Sequence, residues 1–396
     1  MLRRRLVLLT TAVLMLVGAA PALADDPWTV PSPATITITG DGSGHGKGLS
    51  QYGAYGAARA PYNLTAQQIL DFYYPGTRAG SAGGTIAVLI SGDRDGDLVV
   101  EDRDGLAVRA VRSGKVFALT EKAARTWRVK QTGAKSVVAY RATGTSPWHT
   151  VRTISGDAEL TAGGKPVTLR SPAGTRAYRG ALRSTHHDGR RVTVNVLPLE
   201  AYVRGVVPSE VAASRWPQQA LRAQAVAART YAAYERAHTA NPDYDLCDTA
   251  ACQAYGGATA EYPTSDAAVT ATAHRVLTYQ GGLAFAQFSA SNGGYTVAGQ
   301  FPYLPAQPDP YEGTSPDYYG WTAAVTDAQI EEAYNIEQLT NLQINTRDGN
   351  GPRGGRVETV LLTTAKGDTY SVTGESFRRN LGLRSTLVEI IDVHPG

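Results

Sequence analysis

The stretch that most constrains this chain runs from Gly83 to Val196. It breaks into short alternating runs, among them GTIAVLIS, DLVVEDRDG, RTWRVKQ, KSVVAYRA and RRVTVNVLP, parted by Gly, Asp, Ser and Pro. Alternation with period two sends successive side chains to opposite faces, so each run reads as a half-buried strand. Many short strands with frequent turns predict a barrel or sandwich for this segment. The 42 glycines and 21 prolines among 396 residues suit such a turn-rich chain.

The flanks are mixed. Upstream, TITITG alternates like a strand, and LTAQQILDFYYPGT reads as a short helix capped by Thr65 and stopped at Pro75-Gly76. Downstream, Val203 to Ser214 reads as a loop, and Trp216-Pro217 opens a helix with proline at its first position. That helix carries Ala220, Leu221, Ala225, Ala228 and Ala232 on one face, small enough to lie close against a neighbour. SDAAVTATAHRVLTYQG predicts a helix passing into a strand, and LAFAQFSASNGG a strand ending in a polar loop. A small helix is expected near 326–334. VETVLLTT, DTYSVTG, ESFRRNLG and STLVEIID then predict two strands, a helix and a last strand. The fold class expected is mixed α+β, mainly β, with several packed helices.

Residues 1–24 read as a secretory leader: Arg3-Arg4-Arg5, an apolar run from Leu6 to Ala19, and a small-x-small site at Ala22-Leu23-Ala24. The apolar run is too short to favour a stable span. A secreted or cell-wall location follows, with no stable membrane span after cleavage. A net charge of +3 gives no case for nucleic acid. The 21 tyrosines against six phenylalanines suggest surfaces that stack on polar rings such as sugars.

GHGKGLSQYGAYGAARA, residues 44–60, places glycine at alternate positions around a lysine. It is not a phosphate loop: Asp41 stands where the Walker pattern needs glycine, and Gly48 where it needs Ser or Thr. Leu49 likewise breaks the dinucleotide pattern. Cys247 and Cys252 are the only cysteines, and an even count in an exported chain favours a disulfide. A zinc site, the rival, would want two further ligands nearby.

The block LPLEAYVRGVVPSEVAASRWPQQALRAQAVAARTYA, followed by YDLCDTAACQAYGG and FSASNGGYT, resembles the SpoIID/LytB family of exported peptidoglycan-cleaving or cell-wall-modifying proteins. The GHGxGxSQxGA segment, YRG at 178–180 and GESFRRNLGLRST at 374–386 are similar to family elements as well. In the family the GHG segment generally follows the RxxLGLxST strand, whereas here it comes first. The resemblance therefore implies a circularly permuted domain whose ends meet, with Leu387–Ile391 pairing with or abutting Thr35–Thr39. The division expected is an N-terminal GHG segment at 35–80, a β-rich insertion at 85–190 and the main SpoIID-like core at 191–396.

Family members studied as enzymes are lytic transglycosylases, so the resemblance implies cleavage of MurNAc–GlcNAc β-1,4 bonds of peptidoglycan glycan strands by a single carboxyl group. Glu210 matches the catalytic glutamate, on a loop with apolar neighbours that raise its pKa. Glu200 is given a structural role, holding backbone amides or Arg204. Gln224, Arg229, His45, Gln51, Tyr255, Ser289, Ser291 and Asn292 are the expected substrate-binding residues. Some members hold zinc at the CDxxxC segment, but Ala251 stands where a histidine would precede the second cysteine, so no metal and no cofactor is expected. The alternative is a non-catalytic peptidoglycan-binding protein, or an activator of another cell-wall hydrolase such as an amidase.

Overall fold

The β-rich stretch folds as two sheets. One has seven strands, ordered 246–247, 85–89, 190–198, 181–187, 158–161, 107–110 and 116–118; the other has six, ordered 149–155, 135–141, 126–132, 97–101, 167–171 and 174–178. Every pairing in them is antiparallel except that of 246–247 with 85–89. Strand 181–187 lies against 97–101 and 126–132 of the other sheet, and the inward residues Leu98, Val100, Trp127, Val129, Leu160 and Leu182 are buried in one core. The computed structural model describes residues 24–313 and 316–396. The expected leader, apart from Ala24, lies outside the described residues.

The same core takes in five helices: α1 (Gln51–Ala57), α2 (Ala66–Tyr73), α3 (Leu199–Glu210), α4 (Gln218–His238) and α5 (Pro263–Ala271). Thr65 caps α2 in a capping box with Gln68, as its sequence predicts. The alanines of α4 are buried, and the helix packs against α1, α2, α3 and α5. Residues 203–210 correct the expected loop, because they are helical. Burial of Leu199, Tyr202, Val203, Val206 and Val207 outweighs the one backbone hydrogen bond that Pro208 forfeits near the helix end. Gly205 is required there, since a Cβ would sit 2.5 Å from the Tyr255 ring.

Residues 42–319 make up one compact unit, and 24–41 with 320–396 a second one with its own core. In the second unit, strand 34–40 lies between 321–326 and 388–395, and a further sheet orders 28–29, 339–347, 357–364 and 369–373. Ile38 pairs with Ile390 and Thr39 with Glu389, so the last strand is hydrogen-bonded to the first long one, as expected. Helices α6 (Asp327–Tyr334) and α7 (Gly374–Asn380) complete this unit. Strand 339–347 was not expected from sequence.

Candidate active site

The glycine-rich segment is a backbone zipper. Leu49 and Ser50 pair in parallel with Phe288 and Ser289, and Ser43 bridges Ser291. Gly42, Gly44, Gly46 and Gly48 all have positive φ. At Gly48 a Cβ would lie 2.1 Å from the Gln287 carbonyl oxygen, and at Gly44 it would lie 2.9 Å from the Ser289 Cβ. Only glycine allows both the left-handed backbone and the close approach. The zipper delivers Ser50, whose hydroxyl accepts from the Gly53 amide and caps α1. Gln51, the first residue of α1, is thereby fixed and buried.

Glu210 is the last residue of α3 and is half-buried. Its Oε2 accepts from Gln51 Nε2 at 3.1 Å, and its Oε1 accepts from the Ala254 amide at 2.6 Å. Ala254 belongs to a loop pinned on three sides. The Cys247–Cys252 disulfide closes it, and Asp245 and Asp248 accept from the amides of Ala87 and Ser91. Gln253 accepts from the Tyr202 hydroxyl and donates to the Ala228 carbonyl. Burial pushes the Glu210 carboxyl above the ordinary glutamate range, and the donors from Ala254 and Gln51 pull it partly back.

This carboxyl opens on a cavity of about 370 Å³. Of the expected residues, His45, Gln51, Glu210, Ser289 and Cys252 line it, together with Ser43, Gly44, Tyr231, Ala250, Ala251, Gln287, Phe288 and Ala290. Among the described residues Glu210 is the only carboxylate in that lining. His45 Nδ1 accepts from the Lys47 amide, and Ser289 Oγ accepts from the Gly46 amide. Among the described residues no group of three or more His, Cys, Asp and Glu side chains is placed to hold a metal ion.

The other expected residues lie elsewhere. All five N–H donors of the fully buried Arg229 are spent, on Glu200 at 2.7 and 2.9 Å and on the carbonyls of Ala225, Val269 and Arg275. The guanidinium therefore has no donor left for a sugar, and Glu200 holds Arg229 rather than Arg204, and also the His274 amide at 3.1 Å, as the expected backbone-holding role requires. Arg204 instead pairs with Asp266 and Thr270. Tyr255 is a core residue whose hydroxyl donates to Asn195 and whose ring packs 4.9 Å from Tyr202. Ser291 and Asn292 are fully buried, so neither reaches a ligand. Ser291 donates to Glu312, while Asn292 donates its amide N–H to Glu312 and its side chain to Asp309. Gln224 is also buried, and among the described residues neither of its amide atoms has a hydrogen-bond partner.

Residues missed by sequence reasoning include Tyr231, seven positions after Gln224 on the same face of α4, a spacing that could have revealed it. The Ala254 donor is a backbone group and leaves no side-chain signal.

Residues 187–279 match the family model described as Stage II sporulation protein, SpoIID. An uncharacterised protein of Brachyspira hyodysenteriae is 30% identical over 220 residues, 52% of this chain and 56% of that one. An amidase enhancer of Bacillus subtilis is 40% identical over 135 residues, 33% of this chain and 17% of that protein. A stage II sporulation protein D of Bacillus amyloliquefaciens is 28% identical over 274 residues, 63% and 72% of the two chains. The chain thus spans about half of the first relative's length and a small part of the second's. No helix among the described residues is long and apolar enough to cross a membrane.

Proposed function

Because the chain belongs to the SpoIID family, a cell-wall family, we propose that it is a secreted peptidoglycan lytic transglycosylase with Glu210 as its acid and base. The observation that carries this reading is a lone carboxyl at the cavity, raised by burial and held by two N–H donors. Hydrolysis by the usual route needs two carboxylates flanking the bond. Transglycosylation needs one. The protonated Glu210 gives its proton to the glycosidic oxygen as the C1–O bond breaks. The carboxylate then takes the proton of the muramic 6-hydroxyl while that oxygen bonds to C1, closing a 1,6-anhydro ring without water.

We assign His45 and Ser289 to the glycan, and Gln51 to Glu210 itself. Arg229, Tyr255, Ser291 and Asn292 serve the fold. The test is mass spectrometry of muropeptides after incubation with purified protein. Anhydro ends are expected; reducing ends would point to hydrolysis. An absence of products would favour the second reading, an amidase-activating or binding role, which the 40% identity to the amidase enhancer supports.

A further inference from the structure

The solvent-facing side of α1 is aromatic. Tyr52 and Tyr55 are half-buried, and the ring of Trp216, itself a buried core residue, packs 5.3 Å from Tyr52 and 5.1 Å from Tyr55. The exposed Arg59 lies over the Tyr55 ring at 4.8 Å. This cluster continues the site. Gln51 and Tyr55 are one helical turn apart, about 6 Å along the axis. The segment 210–216 runs beside the same helix: Glu210 is bonded to Gln51 at one end, and Trp216 lies on Tyr52 and Tyr55 at the other. A strip of aromatic rings therefore leads outward from the carboxyl along α1.

We propose that Tyr52 and Tyr55, held by the buried Trp216, form a carbohydrate subsite that takes a pyranose ring of the strand beyond the scissile bond. The inference rests on the glycan-cleaving reading. Edge-on packing of Tyr52 and tilted packing of Tyr55 on Trp216 already fix the rings, so little side-chain freedom is lost on binding. Their apolar faces suit the axial C–H face of a sugar, and the tyrosine hydroxyls suit its rim. Arg59 is exposed and long enough to swing off the Tyr55 ring.

The test uses the full-length Glu210→Gln protein, so that binding is read without cleavage. Its probes are a hexamer and a dimer of β-1,4-linked N-acetylglucosamine. The dimer fits within the cavity, whereas the hexamer reaches the strip. Adding Tyr55→Ala is expected to weaken hexamer binding about three- to tenfold, the range of one aromatic contact, and to leave the dimer unchanged. Tyr55→Phe keeps the ring and should keep hexamer affinity. Equal hexamer affinity with and without the Tyr55 ring, or an equal loss for both oligomers, would overturn the subsite while leaving the cavity reading standing. No binding of either oligomer by the Glu210→Gln parent would remove the glycan reading itself, and the subsite with it.

Discussion

At Glu210 the two demands of chemistry and stability oppose each other. Burial raises the carboxyl in the folded chain, so folding favours its protonated form. The stability this gives is full below the unfolded glutamate value of about 4.3 and is lost as pH rises through the higher folded value. Glu210→Gln should therefore lower turnover by on the order of 10² to 10⁴ and at the same time raise the melting temperature at neutral pH. The gain in melting temperature should vanish near pH 4. A variant that cleaves glycan at the wild-type rate would end the assignment. Gln51→Leu tests the neighbour. It removes a donor that favours the charged carboxylate, so the Glu210 carboxyl should rise further. Since the reaction starts from the acid form, the falling alkaline limb of the pH–rate profile should move to higher pH. An unmoved limb would show that the Gln51 contact does not govern the proton. That Glu210, His45, Gln51 and Ser289 come together at one cavity was legible because each sits in a local motif. Tyr255, Ser291 and Asn292 were misread because polar residues beside glycines look like loop surface. The partners that bury Ser291 and Asn292, Asp309 and Glu312, lie 17 to 21 residues further on in an irregular stretch with no periodic signal.

At the level of elements, periodicity gave the long strands of the β-rich stretch and most helices but not strands 321–326 and 339–347 or helix α3, and the last miss is informative. Gly205 and Pro208 read locally as breakers of 203–214, yet α3 runs through both because tertiary burial overrides propensity. The helix is held from behind by Arg229 of α4, whose guanidinium is fully buried while the Glu200 side chain is 24% exposed. Arg229→Met should cost about 3 kcal/mol, because it strands the Glu200 carboxylate. Glu200→Gln should cost at least as much, because it leaves the fully buried Arg229 cation without its counter-charge, yet keep measurable turnover in the folded protein, because neither residue reaches the cavity. Denaturant midpoints of the two single variants and the double would separate pairing from burial. The glycine zipper makes a sharper contrast. Gly48→Ala would add a Cβ 2.1 Å from a carbonyl oxygen at φ +66°, and it should cost at least about 3 kcal/mol. Gly114→Ala has φ +69° with nothing within 4 Å, and it should cost only the backbone term of about 1 kcal/mol. Similar losses at both positions would mean that the close approach to Gln287 contributes nothing to the fold.

Across the whole molecule, every residue lining the cavity lies within 42–319, as does the stretch matched by the family model. The pairing of 34–40 with 388–395 lies in the other unit and joins segments far apart in sequence. No local pattern reveals such a pairing, and it was reached only through the order of motifs along the chain. Separate cores make a prediction that distinguishes the two units. Ile38 is fully buried in the middle strand of its sheet, so Ile38→Ala should remove about 2 to 5 kcal/mol from that core. Thermal unfolding followed by calorimetry should then show an earlier step. Release of anhydro-muropeptides, measured well below that step, should stay within about twofold of wild type, since surface and core changes away from a site act mainly through stability. Loss of turnover in an Ile38→Ala protein that is still folded would mean that catalysis depends on residues outside 42–319.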